Sequence, residues 1–183
     1  MNRNSFHLRF VLSLTAFLAS SAAVNGQVPQ AQVPGPKVKP TVPLPVKECR
    51  DPAAESLTFV ILSRDAAHPM RGQIRITGVV RNVGNAEFVS DPRQAKAILF
   101  ETPQGASPTD RAHQAIARLA PGASLTLTYQ TSWDSAREFP PKYTLLVDYD
   151  PDIRSDANRK NDDCNANNNR RELTGEQINR GWR

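Results

Sequence analysis

The stretch Ile74-Arg-Ile-Thr-Gly-Val-Val-Arg81, followed by Asn82-Val-Gly-Asn85, carries the pattern on which the fold turns. Ile74, Ile76, Gly78 and Val80 alternate with Arg75, Thr77, Val79 and Arg81. A period of two places the first set on one face of a strand and the second on the other, which predicts a half-buried strand with one wet face. The Asn and Gly residues that follow are turn formers, and Gly84 is expected to supply a positive φ in a tight turn.

The same period recurs on both sides. Upstream, Leu57, Phe59 and Ile61 alternate with Thr58, Val60 and Leu62. Downstream come the short apolar run Ala97-Ile-Leu-Phe100, the alternation of Leu125, Leu127 and Tyr129 with Thr126, Thr128 and Gln130, and that of Tyr143, Leu145 and Val147 with Thr144, Leu146 and Asp148. Turn signals separate them: Thr102-Pro-Gln-Gly105, Pro121-Gly122, Pro140-Pro141 and Asp150-Pro151. Short strands punctuated in this way predict an all-β, immunoglobulin-like antiparallel sandwich of about seven strands. Thr109 to Arg118 carries two signals, helix formers behind a Thr or Asp cap and a place where an edge strand fits.

The chain has 183 residues, 39% of them apolar and 22% charged, which suits one compact domain with additional segments. It opens with a short basic region holding Arg3 and Arg9, then an uncharged apolar run from Phe10 to Val24, then small residues at Ser21-Ala-Ala23 and Val24-Asn-Gly26. That order is the signature of a secretory signal over residues 1–26, cleaved between about Ala23 and Gln27. The apolar run is shorter than the ~20 residues a spanning helix needs, so no stable membrane span is expected. With Arg3 and Arg9 removed, 21 basic residues face 18 acidic ones, spread without a basic block. Nucleic acid is therefore not an expected partner.

Residues 27–48 hold six of the fifteen prolines, at Pro29, Pro34, Pro36, Pro40, Pro43 and Pro45. Proline fixes φ and removes a donor, so this segment reads as an extended, semi-rigid linker. Export also sets the reading of Cys49 and Cys164, which lie at the two ends of the region of strands. In an oxidising compartment they are expected to pair, for neither has a Cys-x-x-Cys spacing or a neighbouring His that would mark a reactive thiol. The boundaries that follow are a domain over 49–176 and a tail over 177–183.

Three segments resemble hallmarks of the CARDB family, the cell-adhesion-related immunoglobulin-like modules of bacteria. They are Gly78-Val-Val-Arg-Asn-Val-Gly-Asn-Ala-Glu87, Leu119-Ala-Pro-Gly-Ala-Ser-Leu-Thr-Leu-Thr128, and Tyr143-Thr-Leu-Leu-Val-Asp-Tyr-Asp-Pro-Asp152 with Asn167-Asn168 after it. The likeness covers roughly Leu57 to Thr174. It implies a strand ending in an Asn-x-Gly turn, a Leu-x-Pro-Gly turn opening another strand, and an acidic loop leading through an Asn-rich stretch into the last strand. It also favours strand over helix for Thr109 to Arg118. The acidic loop here, Ser155 to Cys164, is longer than the family's and carries a cysteine.

Catalytic motifs are absent from the sequence. His68 and His113 stand apart, with no His-Glu-x-x-His, Gly-x-Ser-x-Gly or Cys/His metal spacing, and read as surface histidines. Asp148, Asp150, Asp152 and Asp156 offer the hard oxygen donors that Ca²⁺ takes, but Ile153 and Arg159 stand where an EF-hand needs Gly and Glu. The same aspartates serve equally as turn formers in a solvated loop. In the tail, Trp182 between Gly181 and Arg183 either anchors a partner or folds back on the sandwich. The functional expectation is a non-catalytic adhesion or scaffold module, exported to a periplasm, cell surface or medium, that holds an envelope protein or polysaccharide. A calcium-stabilised structural module and an accessory or inhibitor domain of an envelope hydrolase are the alternatives.

Overall fold

The computed structural model describes residues 45–149 and 157–183. The expected export signal, nearly all of the proline-rich segment and the acidic residues Asp150, Asp152 and Asp156 lie outside the described residues. Leu44–Arg183 forms one compact unit.

Seven strands build two antiparallel sheets. The first contains β1 (Pro52–Arg64), β2 (Arg71–Asn82) and β7 (Ser124–Asp134), in the order β1-β2-β7. The second contains β4 (Ala95–Thr102), β5 (Thr109–Ala115), β8 (Lys142–Tyr149) and β9 (Arg170–Leu173), in the order β5-β4-β8-β9. A two-residue pair, β3 (Phe88–Val89) with β6 (Arg118–Leu119), closes one flank. The three-plus-four division is that of an immunoglobulin-like sandwich, and the sheets do not close into a barrel. A 3-10 turn at Ala166–Asn168 leads into β9, and helix α1 (Gly175–Trp182) ends the chain.

The core follows the alternation in the sequence. Ile74, Ile76 and Val80 on β2 are each 0% exposed and meet Leu99 on β4 and Tyr143, Leu145 and Val147 on β8 in one buried cluster. On β1 the pattern is displaced by bulges at Ala54/Ser56 and Ile61/Ser63, and Val60 and Leu62 face outward as the alternation requires. Thr109–Ala115 is a strand, paired only with β4 and exposed at nearly every position. The helix formers there yield to the pairing that the β4 edge offers, because tertiary hydrogen bonds outweigh weak local propensity.

Two glycines differ in role. Gly122, φ +76°, sits third in the turn Ala120 to Ala123, closed by the Ala123 N–H donating to the Ala120 carbonyl at 2.9 Å. That is the type II position that favours glycine. Gly84 does not adopt a positive φ, contrary to expectation. It is needed for close approach instead, since a Cβ there would press into the carbonyl oxygen of Cys49.

The chain's end also differs from the sequence reading. Residues 177–183 are not a tail outside the core: Ile178 is 0% and Trp182 2% exposed, both within the main cluster. Thr174 caps α1 with a reciprocal box, its hydroxyl accepting from the Gln177 N–H at 3.3 Å and its own N–H donating to Gln177 Oε1 at 2.7 Å. Trp182 folds back on the sandwich and donates through Nε1 to the Pro69 carbonyl at 3.0 Å.

Candidate functional site

The two ends of the sandwich are closed by different chemistry. At one end Cys49 and Cys164 form a disulfide across 115 residues, with Cα atoms 5.4 Å apart. Beside it Asn82, the last residue of β2 and fully buried, satisfies its amide completely. Oδ1 accepts from the Asp51 and Gly84 N–H groups at 3.2 and 3.0 Å, and Nδ2 donates to the Ala86 and Leu119 carbonyls at 2.8 Å each. Asp51 accepts from Asn168 Nδ2 at 2.9 Å, and Asp163 from Asn169 Nδ2 at 2.7 Å. Burial pushes the Asp163 carboxyl above its ordinary value, and the neighbouring Asp51 carboxylate adds to the shift against the opposing hydrogen bonds from Asn165 and Asn169.

Cys49, Asp51 and Cys164 come within 4.8 Å of one another, but both sulfurs are committed to the disulfide. Of the four aspartates singled out in the sequence, only Asp148 is described. It is exposed on β8 and lies 3.7 Å from the Lys96 ammonium directly across on β4, so a cross-strand ion pair occupies it.

At the other end an open cleft of about 620 Å³ lies where the ends of β1, β2 and β7 meet β4, β5 and the β7–β8 loop. Its charged lining comes from all of these: Arg64 closing β1 and Asp65 after it, Arg71 opening β2, Glu101 on β4, Arg111 on β5, Asp134 closing β7 and Arg137 in the loop. Two of its lining residues also contact α1. Trp133, 4% exposed, donates through Nε1 to Asn179 Oδ1 at 2.9 Å, and Arg64 lies over the Trp182 ring at 5.1 Å.

Each of these carboxylates already has donors. Asp134 accepts from Arg71 Nε at 2.9 Å, its partner in the β2–β7 register, and from the Ala136 N–H at 3.0 Å. Glu101 accepts from Arg111 Nε at 2.7 Å and from the Tyr143 hydroxyl at 3.3 Å. Asp65 accepts from the Ala67 N–H at 2.8 Å and from His68 through both its backbone and its ring. The Ala67 N–H is the main reason the Asp65 carboxyl lies below its ordinary value; for Asp134 the Ala136 N–H leads and Arg71 follows. Burial drives the Tyr143 hydroxyl upward, and the Glu101 carboxylate adds to that.

Hydrogen bonds to their charged forms hold the Asp65 and Asp134 carboxyls ionised. His68 and His113 are exposed, as the sequence suggested, each beside an aspartate three residues earlier. Among the described residues, neither ring bonds a hydroxyl or thiol that it could activate. The sequence reading did not single out the cleft. Arg64, Arg71, Arg111 and Arg137 are far apart in the chain, and only the turns between strands bring them to one end.

No family model matches the chain, and no curated protein matches it. A solved structure, the beta-D-glucoside glucohydrolase from Trichoderma reesei, is similar over 66% of this chain and 18% of that one, at 16% identity and a TM-score of 0.29. This chain thus matches less than a fifth of that enzyme's length, and a likeness of this grade carries no functional weight.

Proposed function

We propose that the chain is an exported, CARDB-like, non-catalytic binding module that holds a cell-envelope partner in the cleft at the helix-capped end. One observation carries this reading most: the cleft gathers charged side chains from both sheets, while its carboxylates are tied to arginines, backbone donors or a tyrosine. Such groups suit orienting a ligand better than transferring a proton. The signal-like N-terminus and the proline-rich linker support display away from the point of synthesis.

The test is direct. The purified chain is titrated with envelope polysaccharide and protein fractions while product formation is followed in parallel. Saturable binding without turnover, weakened by substitutions at the cleft and not by substitutions at the disulfide end, is the expected result. Turnover abolished by Glu101→Gln with folding intact overturns the non-catalytic reading.

A further inference from the structure

The charges around the cleft do not balance. Four arginines face three carboxylates. Arg71 and Arg111 each meet a carboxylate through Nε, which leaves further guanidinium N–H groups to donate. Among the described residues, Arg64 has the Trp182 ring as its neighbour and no carboxylate as an ion-pair partner. The Arg137 side chain has no hydrogen-bond or ion-pair partner among the described residues; only its backbone N–H is bonded, to the Asp134 carbonyl at 3.2 Å. A guanidinium fork is matched to planar or tetrahedral oxyanions, which it can hold through two parallel hydrogen bonds.

The neutral lining narrows the ligand further. Ser63, Gln73, Thr131 and Ser132 add hydroxyls and an amide between the arginines. The aromatics that line the cleft are not open, since Trp133 is nearly fully buried and Arg111 covers Tyr129 at 5.5 Å from the ring centroid; the exposed Phe139 of the β7–β8 loop lies outside the lining. A protein partner is held chiefly by apolar and aromatic anchors seated in pockets, and the cleft provides no such socket. A ligand that alternates hydroxyls with anionic groups suits it better, and a volume of about 620 Å³ suits several linked units rather than one ion.

Resting on the cleft being the binding site, we infer that its ligand is an anionic polysaccharide whose carboxylate or sulfate groups are held by Arg137 and Arg64, with Arg71 and Arg111 completing the wall. Hydroxyls of the same polymer meet the serine, threonine and glutamine side chains between them.

The experiment measures binding of the full chain to polygalacturonate, dextran sulfate, unmodified dextran and poly-L-glutamate at a fixed, physiological ionic strength. Arg137→Ala is compared with Arg93→Ala, which removes an exposed arginine bonded to Asp91 between β3 and β4. The expected result is binding to polygalacturonate or dextran sulfate, the stronger of the two identifying the anion. Arg137→Ala should raise Kd at least tenfold at an unchanged melting temperature, with little change for Arg93→Ala.

Equal losses in the two variants overturn the proposal in favour of attraction by overall charge. Poly-L-glutamate binding as tightly, with the same dependence on Arg137, replaces the polysaccharide with an acidic peptide. Unmodified dextran bound through Arg137 leaves the cleft as the site and removes the anion. No binding to any of the four polymers removes the anionic ligand, and the envelope titration then decides separately whether the cleft binds anything.

Discussion

The disulfide end and the helix-capped end solve one problem in opposite ways. Both must close a sandwich whose sheets are left open, and both must satisfy the backbone groups that a strand leaves behind at its end. The disulfide end uses side-chain amides: Asn82 bonds to main chain, Asn168 donates to the Asp51 carboxylate and Asn169 to the Asp163 carboxylate, with a covalent link beside them. The other end uses an amphipathic helix whose Ile178 and Trp182 fill the core. Polar groups spent inside the fold are unavailable to a ligand. Closure by apolar packing frees the charged side chains above it, and this is where the cleft opens.

Breaking the covalent link should give the largest effect. Cys49→Ser with Cys164→Ser releases a 115-residue separation and should lower stability by about 4 to 5 kcal/mol in the chain-entropy model. Urea unfolding of the oxidised parent and the double variant checks this. Next comes the helix-capped end, where Trp182→Ala should cost about 3 to 5 kcal/mol, as expected for a large aromatic removed from a core. The midpoint of urea unfolding reports it, and a loss below about 1 kcal/mol would mean that α1 is not an integral wall of the fold.

Asn82→Ala should cost about 2 to 3 kcal/mol, because it orphans the buried Asp51 N–H and the Leu119 carbonyl without removing much apolar surface. It should leave polymer binding at the cleft unchanged once folding is confirmed by circular dichroism. A parallel loss of binding would show that the two ends are coupled.

The smallest effects have opposite signs at the two ends. Asp134 has a folded pKa below the ordinary 3.8, so the unfolded chain binds its proton more readily. The stability it contributes is full above the ordinary value and is lost as pH falls through the folded one. Asp163 has a folded pKa above 3.8, so its contribution falls as pH rises from the ordinary value through the folded one. Melting temperatures of Asp134→Asn and Asp163→Asn, measured against the parent across the acid range, should therefore diverge in opposite directions. Curves that move together would refute the contrast.

The strands were legible because half-buried antiparallel strands write their geometry into alternation, as Ile74, Ile76 and Val80 show. The disulfide was legible from the expectation of export and from the position of the two cysteines at the ends of the strand region. The helix was missed although Thr174 and Gln177 stand at capping-box spacing, a signal present in the sequence and carried by only eight residues of helix. Gly84 departs from expectation because turn-forming composition does not separate a positive φ from a close approach to another segment.

Sequence by itself determined the all-β class, the inward faces of the main strands and the pairing of Cys49 with Cys164. These follow from local periodicity and from how many cysteines there are to pair, and both survive without knowing where the chain goes in space. Only the tertiary structure decided that α1 is part of the core and that four distant arginines share one cleft. The surplus of one guanidinium over the carboxylates there depends on which charges neighbour which, a property of long-range contacts that no window of sequence contains.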